Sequence, residues 1–134
     1  MPSTLSRGAS VASWCGQLVA AVILGQTLFF KFTGAPESKY IFSTLGVEPW
    51  GRYGIGVCEL VAVILLLNPR TAASGGVLAM GLMVGAILSH LTKLGIDVQG
   101  DGGLLFGLAV TVLLAAIVVV LLRRQQLPLI GHFF

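Results

Sequence analysis

The sequence predicts an all-α integral membrane protein, a four-helix bundle with a short interfacial helix in its first outer loop. Hydrophobic residues make up 56% of the chain and charged residues only 10%, whereas a soluble domain carries about 25% charged residues. Four apolar runs reach about the 20 residues that cross a bilayer as a helix. The 18 glycines suit close helix packing in lipid. One transmembrane domain in a lipid bilayer is therefore expected over residues 1–134.

The four spans are predicted at approximately residues 13–33, 51–68, 72–94 and 102–122. The first run is too long for the apolar part of a signal peptide and ends in Phe29-Phe30-Lys31, so it is interpreted as a span. Asn68-Pro69-Arg70 stops the second span, and Arg123-Arg124 ends the fourth. The apolar tail Leu127–Phe134 is too short to span and is expected on the membrane surface.

The connection between the first two spans predicts a short helix that lies in the interface and caps the bundle. Pro36 and Glu37 suit its first turn, and Gly46 suits its C-terminal stop. Trp50 and Tyr53 follow, and aromatic residues of this kind anchor chains at the level of the headgroups.

Four spans place both termini on one side of the membrane. Lys and Arg are equally divided between the two sides, four against four. Lys31 and Lys93 lie at span ends and can extend to the headgroups, so they count less as loop charges. The positive-inside rule then places the termini in the cytoplasm. The expected location is the inner (plasma) membrane, in a multi-pass arrangement.

Small residues and cysteines give further expectations about packing. The GxxxG face from Gly81 to Gly85, and a second one from Gly103 to Gly107, are expected to let a neighbouring backbone approach, within the bundle rather than in a dimer. Cys15 and Cys58 have no CxxC or metal-ligand spacing and are predicted at different depths. They are interpreted as small buried apolar residues, and no metal site is expected.

Three ionisable residues lie within the apolar runs: Lys31, Glu59 and His90. A charge in hydrocarbon costs about 2.5–3.5 kcal/mol on insertion scales, so such residues usually face a bundle interior. All three are predicted in the outer half, with Glu59 about 12 Å below the outer face. No comparable polar group is expected in the inner half. The prediction is an outward-opening ligand pocket walled by this trio, with Arg52 and Trp50 near its mouth.

A purely structural interpretation of the trio stays open. A Lys–Glu pair and a histidine can simply hold three helices together, although interhelical polar contacts in membranes are weak.

The basic residues form no patch interleaved with exposed aromatic residues, so no nucleic-acid partner is expected. Whether the chain is an enzyme, and whether it forms a homo-oligomer, is left open by the sequence.

Across approximately residues 24–122 the order of short motifs resembles the DoxX-like family of small four-span membrane proteins. The motifs are Lys31-Phe-Thr-Gly34, Leu45-Gly-Val-Glu-Pro-Trp50, Gly56-Val-Cys-Glu59, Leu67-Asn-Pro69, Gly85-Ala86 and His90-Leu91. The family's recurrent Lys, Glu and His fall on the trio named above. Most members have no established activity. Some are tied to quinone-linked sulfur oxidation or to oxidative-stress complexes, and an animal relative assists receptor assembly.

Three functions of different classes are open to these residues. The first is binding of a small lipophilic or quinone-like ligand, as an accessory subunit serving a redox partner protein. The second is an assembly factor for membrane proteins, with the trio as structural glue. The third, proton or ion movement through Glu59 and His90, is disfavoured because no polar path is expected to continue inward. The cofactor is left open by the sequence: a quinone is the candidate, and the chain has no haem or flavin motif.

Overall fold

The computed structural model describes residues 5–127, which form five α-helices and no strand. The five helices, in chain order, are α1 (Arg7–Thr33), α2 (Pro36–Thr44), α3 (Trp50–Leu67), α4 (Ala72–Ser89) and α5 (Leu104–Leu122). A π-helical turn, His90–Leu94, continues α4, and a 3₁₀ turn, Arg124–Gln126, follows α5. The predicted surface-lying tail falls outside the described residues from position 128 onward.

Four of these helices are long and apolar enough to cross a membrane: α1, α3, α5 and α4 together with its π turn. This confirms the predicted all-α membrane bundle. The first helix begins at Arg7, earlier than the predicted position near residue 13. The reason is local, because the Ser6 hydroxyl accepts a hydrogen bond from the Ala9 amide at 3.1 Å and caps the helix.

The four long helices form a ring in which α1 and α4 each pack against both α3 and α5. The centre of the ring is an apolar core of small and branched side chains drawn from all four helices. Its most buried members include Ala20, Leu24, Ala62, Leu66, Ala79, Val112 and Val119.

Each of the four seams of the ring contains one closely packed glycine. A Cβ built on Gly16 would lie 3.0 Å from Ala115 O at the α1–α5 seam, and one on Gly56 would lie 3.0 Å from the Phe32 ring at the α1–α3 seam. Gly75 lies against the backbone of α3, and Gly76 against the side chain of Val120 on α5. Glycine is needed here because a side chain would hold the helices apart.

The predicted role of the GxxxG motifs is wrong for the described bundle. Cβ atoms built on Gly81, Gly85 and Gly107 would meet nothing within 4 Å among residues 5–127. Gly103 lies against Ile96 of the preceding loop rather than against a helix. The GxxxG spacing alone does not say which way a helix face is turned, and both motifs lie on faces turned away from the core.

The cysteines also differ from expectation. Both Cys15 and Cys58 are free, as predicted, but both are exposed on the outside of the bundle rather than buried. Their helices turn other residues inward, including Gly16 next to Cys15 and Glu59 next to Cys58.

The two ends of the bundle carry different connections. At one end, here called the α2 end, helix α2 packs against α1, α3 and the π turn, with Phe42 buried beneath it. Gly46 follows α2 with a φ of 78°, which fits its predicted role in stopping the helix. The other end, here called the terminal end, contains the start of α1, the α3–α4 turn and Arg124–Gln126.

The loop between the π turn and α5 is organised by Asp101. Its Oδ1 accepts hydrogen bonds from the amides of Val98 at 3.0 Å and Gly103 at 2.8 Å, and its Oδ2 accepts one from Leu105 at 3.2 Å. Partial burial acts to raise the pKa of Asp101, but the backbone N–H donors outweigh it and hold that pKa below its usual range.

Replacement of Asp101 by alanine is expected to lower the free energy of unfolding by about 0.5–2 kcal/mol at neutral pH, the range for loss of a helix cap. Because the folded-state pKa is depressed, this stabilisation is present above the unfolded pKa of about 3.9 and is lost as pH falls through the lower folded value. Thermal unfolding of wild type and of Asp101→Asn, measured at several pH values, checks the pH dependence. The difference between them should shrink as pH falls below about 4, and a constant difference would contradict the assignment.

Candidate functional site

A buried ion pair joins two of the predicted site residues. Lys31 Nζ, in the last turn of α1, lies 2.8 Å from Glu59 Oε1 on α3. Glu59 is only 3% exposed. The contact is at ion-pair distance, so the ammonium and the carboxylate neutralise each other inside the bundle.

A second ion pair lies beside the first. Arg52 Nε lies 2.9 and 3.1 Å from the two carboxylate oxygens of Glu48, and Arg52 Nη2 lies 2.9 Å from Oε1. Arg52 Nη1 donates a hydrogen bond to the Lys31 carbonyl oxygen, which satisfies a carbonyl at the end of α1. The four residues Lys31, Glu48, Arg52 and Glu59 are called the α2-end cluster below.

Local sequence explains how these side chains meet. Gly34 adopts the left-handed conformation with a φ of 70° and ends α1, directly after Lys31-Phe-Thr. A Cβ on Gly34 would lie 3.4 Å from Arg52 Nη1, so the guanidinium reaches the helix end over a glycine. Arg52, Gly56 and Glu59 share the buried face of α3, as their spacing of four and three predicts.

Aromatic residues border the cluster unequally. The Arg52 guanidinium carbon lies 4.4 Å from the centre of the Tyr53 ring, a cation–π contact. Trp50 is 70% exposed at the start of α3. Its indole is therefore a surface group beside the cluster and does not line an enclosed cavity.

His90 is buried at the same end but has different partners. Its Nδ1 lies 2.9 Å from the carbonyl oxygen of Gly95, and the amide of Gly95 donates to the carbonyl of His90. A carbonyl can only accept, so Nδ1 carries a proton and donates this hydrogen bond. The ring packs edge-on against Phe106, with centroids 5.7 Å apart. π-helical turns of this kind are frequent at functional sites.

The structure thus brings Lys31, Glu59 and Arg52 into contact, whereas His90 makes no ion pair or hydrogen bond to them within residues 5–127. Two apolar surface grooves lie elsewhere, one between α1 and α5 and one on α1. Neither includes a residue of the α2-end cluster. A shared ligand pocket therefore stays a prediction about the cluster rather than a visible cavity.

The expectation that the half opposite the trio contains no comparable polar group is wrong, because a buried polar cluster lies at the terminal end. Arg123, after α5, is 4% exposed, and its Nε donates to Ser13 Oγ at 2.7 Å and to Gln17 Oε1 at 3.0 Å. Its Nη1 donates to Pro69 O at 3.3 Å. Gln17 Nε2 in turn donates to Leu66 O at 2.7 Å. Ser13, Gln17 and Arg123 are called the terminal-end cluster below.

The family model described as the DoxX-like family matches residues 15–121. The chain belongs to the DoxX-like family. Searches of curated proteins and of solved structures returned no match. In this DoxX-like protein the match contains the whole α2-end cluster and His90, whereas Ser13 and Arg123 of the terminal-end cluster lie outside it.

Three residues of these clusters, Glu48, Ser13 and Gln17, had usable signals in the sequence. Glu48 precedes Arg52 by four positions, the spacing of a helical ion pair, but Pro49 between them suggested a chain break. Ser13 and Gln17 also share a helix face at a spacing of four, and the Ser13 hydroxyl lies 2.7 Å from Gln17 Oε1. Arg123 carried no such signal, because a basic residue after an apolar run usually marks a span end.

The chemistry available to the DoxX-like protein differs between the two clusters. The α2-end cluster offers ammonium and guanidinium donors beside a buried carboxylate, so it can bind an acceptor-rich group and exchange a proton. The described residues contain no group of three or more His, Cys, Asp or Glu side chains able to hold a metal ion.

Proposed function

We propose that the α2-end cluster, together with His90, binds the polar head of a small lipophilic molecule of the quinone class. The chain is then an accessory subunit of a redox or oxidative-stress complex, which presents this ligand to a partner protein. The observation that carries the proposal is the buried Lys31–Glu59 pair, with Glu59 only 3% exposed inside a membrane-spanning helix.

Energetics argue that this pair has a role beyond holding helices together. Removing two charges from water is expensive, and replacing a buried ion pair by apolar side chains is often neutral or stabilising by about 1–4 kcal/mol. A pair with so little structural advantage fits a functional site, as intramembrane ionisable residues generally do.

The polar groups of the site match both the oxidised and the reduced form of a quinone. A carbonyl oxygen accepts hydrogen bonds, and Lys31 and Arg52 supply donors. A quinol hydroxyl donates, and Glu59 Oε1 and His90 Nε2 supply acceptors. Lys31 lies in the last turn of α1 and is the more exposed partner of its ion pair, so its side chain can turn away and admit a headgroup.

A specific observation favours the assembly-factor role as the second candidate. Gly81, Gly85 and Gly107 lie on open faces of α4 and α5, with nothing within 4 Å of a built Cβ. Such faces let the helix of another membrane protein approach closely. Recovery of a specific membrane partner in mild detergent, lost on Gly81→Leu, distinguishes this role from ligand binding.

Titration of the purified protein with a short-chain ubiquinone, followed by tryptophan quenching, tests the first candidate. Trp50 borders the α2-end cluster and supplies the signal, while Trp14→Phe removes the other tryptophan. Glu59→Gln combined with His90→Ala is expected to weaken binding about tenfold or more, since each change removes a buried hydrogen-bonding partner.

Thr92→Ala is the matched control, because Thr92 is exposed on the same π turn and bonds only within its own helix. It should bind like wild type. Equal quinone affinity in wild type and in the double variant would contradict the site and leave the trio as structural glue.

A further inference from the structure

The terminal-end cluster buries a guanidinium without a negatively charged partner. Arg123 is fixed between α1 and the α3–α4 turn by the neutral oxygens of Ser13, Gln17 and Pro69. These three bonds use Nε and Nη1, and Nη2 has no hydrogen-bond partner among residues 5–127. The guanidinium is held in place by Nε and Nη1, and its Nη2 is still available to donate hydrogen bonds.

No acidic side chain of the chain is placed to neutralise Arg123. The five acids of the sequence are Glu37, Glu48, Glu59, Asp97 and Asp101, and none of them forms an ion pair with Arg123 among residues 5–127. Arg7, Arg70 and Arg124 lie with Arg123 at the terminal end, so this end is uniformly basic.

Burial of an unpaired charge requires compensation. Burial lowers the pKa of Arg123, yet arginine keeps its proton in proteins. An unpaired buried ion is costly because it loses its hydration. The guanidinium cannot escape this cost by losing its charge, and an anion bound from outside the described residues would offset it.

The position of Arg123 indicates which anion this is. Arg123 directly follows the last residue of α5, Leu122, where the apolar span ends. The groups at this depth of a bilayer are lipid phosphates, and the planar guanidinium fork matches phosphate oxygens. We propose that Arg123, flanked by Arg70 and Arg124, is a phosphate-binding site at the terminal end that takes an anionic phospholipid headgroup or free phosphate.

Native mass spectrometry of the full chain tests the proposal and separates the two sources. The detergent-purified protein is offered phosphatidylglycerol, zwitterionic phosphatidylcholine or inorganic phosphate, and thermal unfolding is followed in parallel. Phosphatidylglycerol is expected to be retained by wild type and bound about tenfold or more weakly by Arg123→Gln. Stabilisation of wild type by inorganic phosphate alone, absent in Arg123→Gln, supports the same site with a soluble ligand.

Arg7→Gln is the matched control, because it removes the same charge from an exposed position at the same end. It should bind within about twofold of wild type, as expected for an exposed, screened charge. Equal loss in Arg7→Gln and Arg123→Gln would overturn the proposal in favour of general attraction to a basic end. Equal binding by wild type and Arg123→Gln would also overturn it.

A measurement on the wild type covers the case in which Arg123→Gln does not fold. Phosphatidylglycerol with a photoreactive headgroup is expected to cross-link within residues 7–17, 66–75 or 119–127, the segments around the terminal-end cluster. Cross-links confined to other segments would overturn the site without any substitution.

Discussion

Replacing Lys31 with methionine is expected to lower the free energy of unfolding by about 3–5 kcal/mol, the cost of leaving one partner of a buried ion pair uncompensated. Glu59 is nearly inaccessible on α3, so its carboxylate cannot reach water when the ammonium 2.8 Å away is removed. Denaturation with sodium dodecyl sulfate in mixed micelles, followed by circular dichroism, measures the loss.

The reverse substitution should cost less. Glu59→Met leaves Lys31 in the last turn of α1, from which its long side chain can extend to the headgroups. The double variant Lys31→Met/Glu59→Met should recover most of the stability, because an apolar pair avoids the desolvation of both charges. We expect a coupling energy of at least about 2 kcal/mol from this double-mutant cycle.

Lys39→Met controls for loss of a cation at the same end, since Lys39 is exposed on α2. It should change stability by no more than about 0.5 kcal/mol. A coupling energy below about 0.5 kcal/mol would place the Lys31–Glu59 pair among exposed surface pairs. In that case the energetic argument for a functional site would fail.

Stability and ligand binding answer different questions about the same residues. If the double methionine variant is stable but no longer binds quinone, the charges serve the ligand. If it is unstable, they serve the bundle.

The apolar core bears on the third function, ion movement, because Ala20, Leu24 and Ala62 separate the α2-end cluster from the terminal-end cluster. No polar path joins the two clusters through these residues.

Sequence reasoning identified the parts of this fold that depend on composition and helical phase. Apolar runs of membrane-spanning length give four helices, and the spacing of Arg52, Gly56 and Glu59 gives their shared face. The terminal-end cluster required knowledge of which helix ends meet. Ser13 and Arg123 are far apart in the chain and are brought together only because α1 packs against α5.

The glycine motifs show the same limit more sharply. A GxxxG spacing identifies two small residues on one helix face, but it does not say whether that face is turned to the core or to lipid. On α4 the adjacent pair Gly75 and Gly76 contacts α3 and α5, whereas Gly81 and Gly85 contact neither. The rotation of α4 about its own axis is set by packing against its neighbours, and it cannot be predicted directly from a single sequence.

Alanine substitution of Gly75 and of Gly81 gives a measurable contrast between a packed and an open glycine on α4. Gly75→Ala is expected to lower the free energy of unfolding by about 1–3 kcal/mol or more, the range for overpacking a tight core. The new Cβ would lie 2.7 Å from the backbone nitrogen of Leu66 and 2.9 Å from Leu65 Cβ. Because backbone cannot rotate aside, α3 and α4 must separate.

Gly81→Ala, on the same helix, is the matched control and should be neutral or stabilising by up to about 1 kcal/mol. Its Cβ would meet nothing within 4 Å, and alanine favours a helix over glycine by about that amount. Denaturant titration of both variants in the same micelles gives the comparison. If Gly81→Ala were the more harmful of the two, the GxxxG face would be the packed one, and the ring order of the helices described above would be wrong.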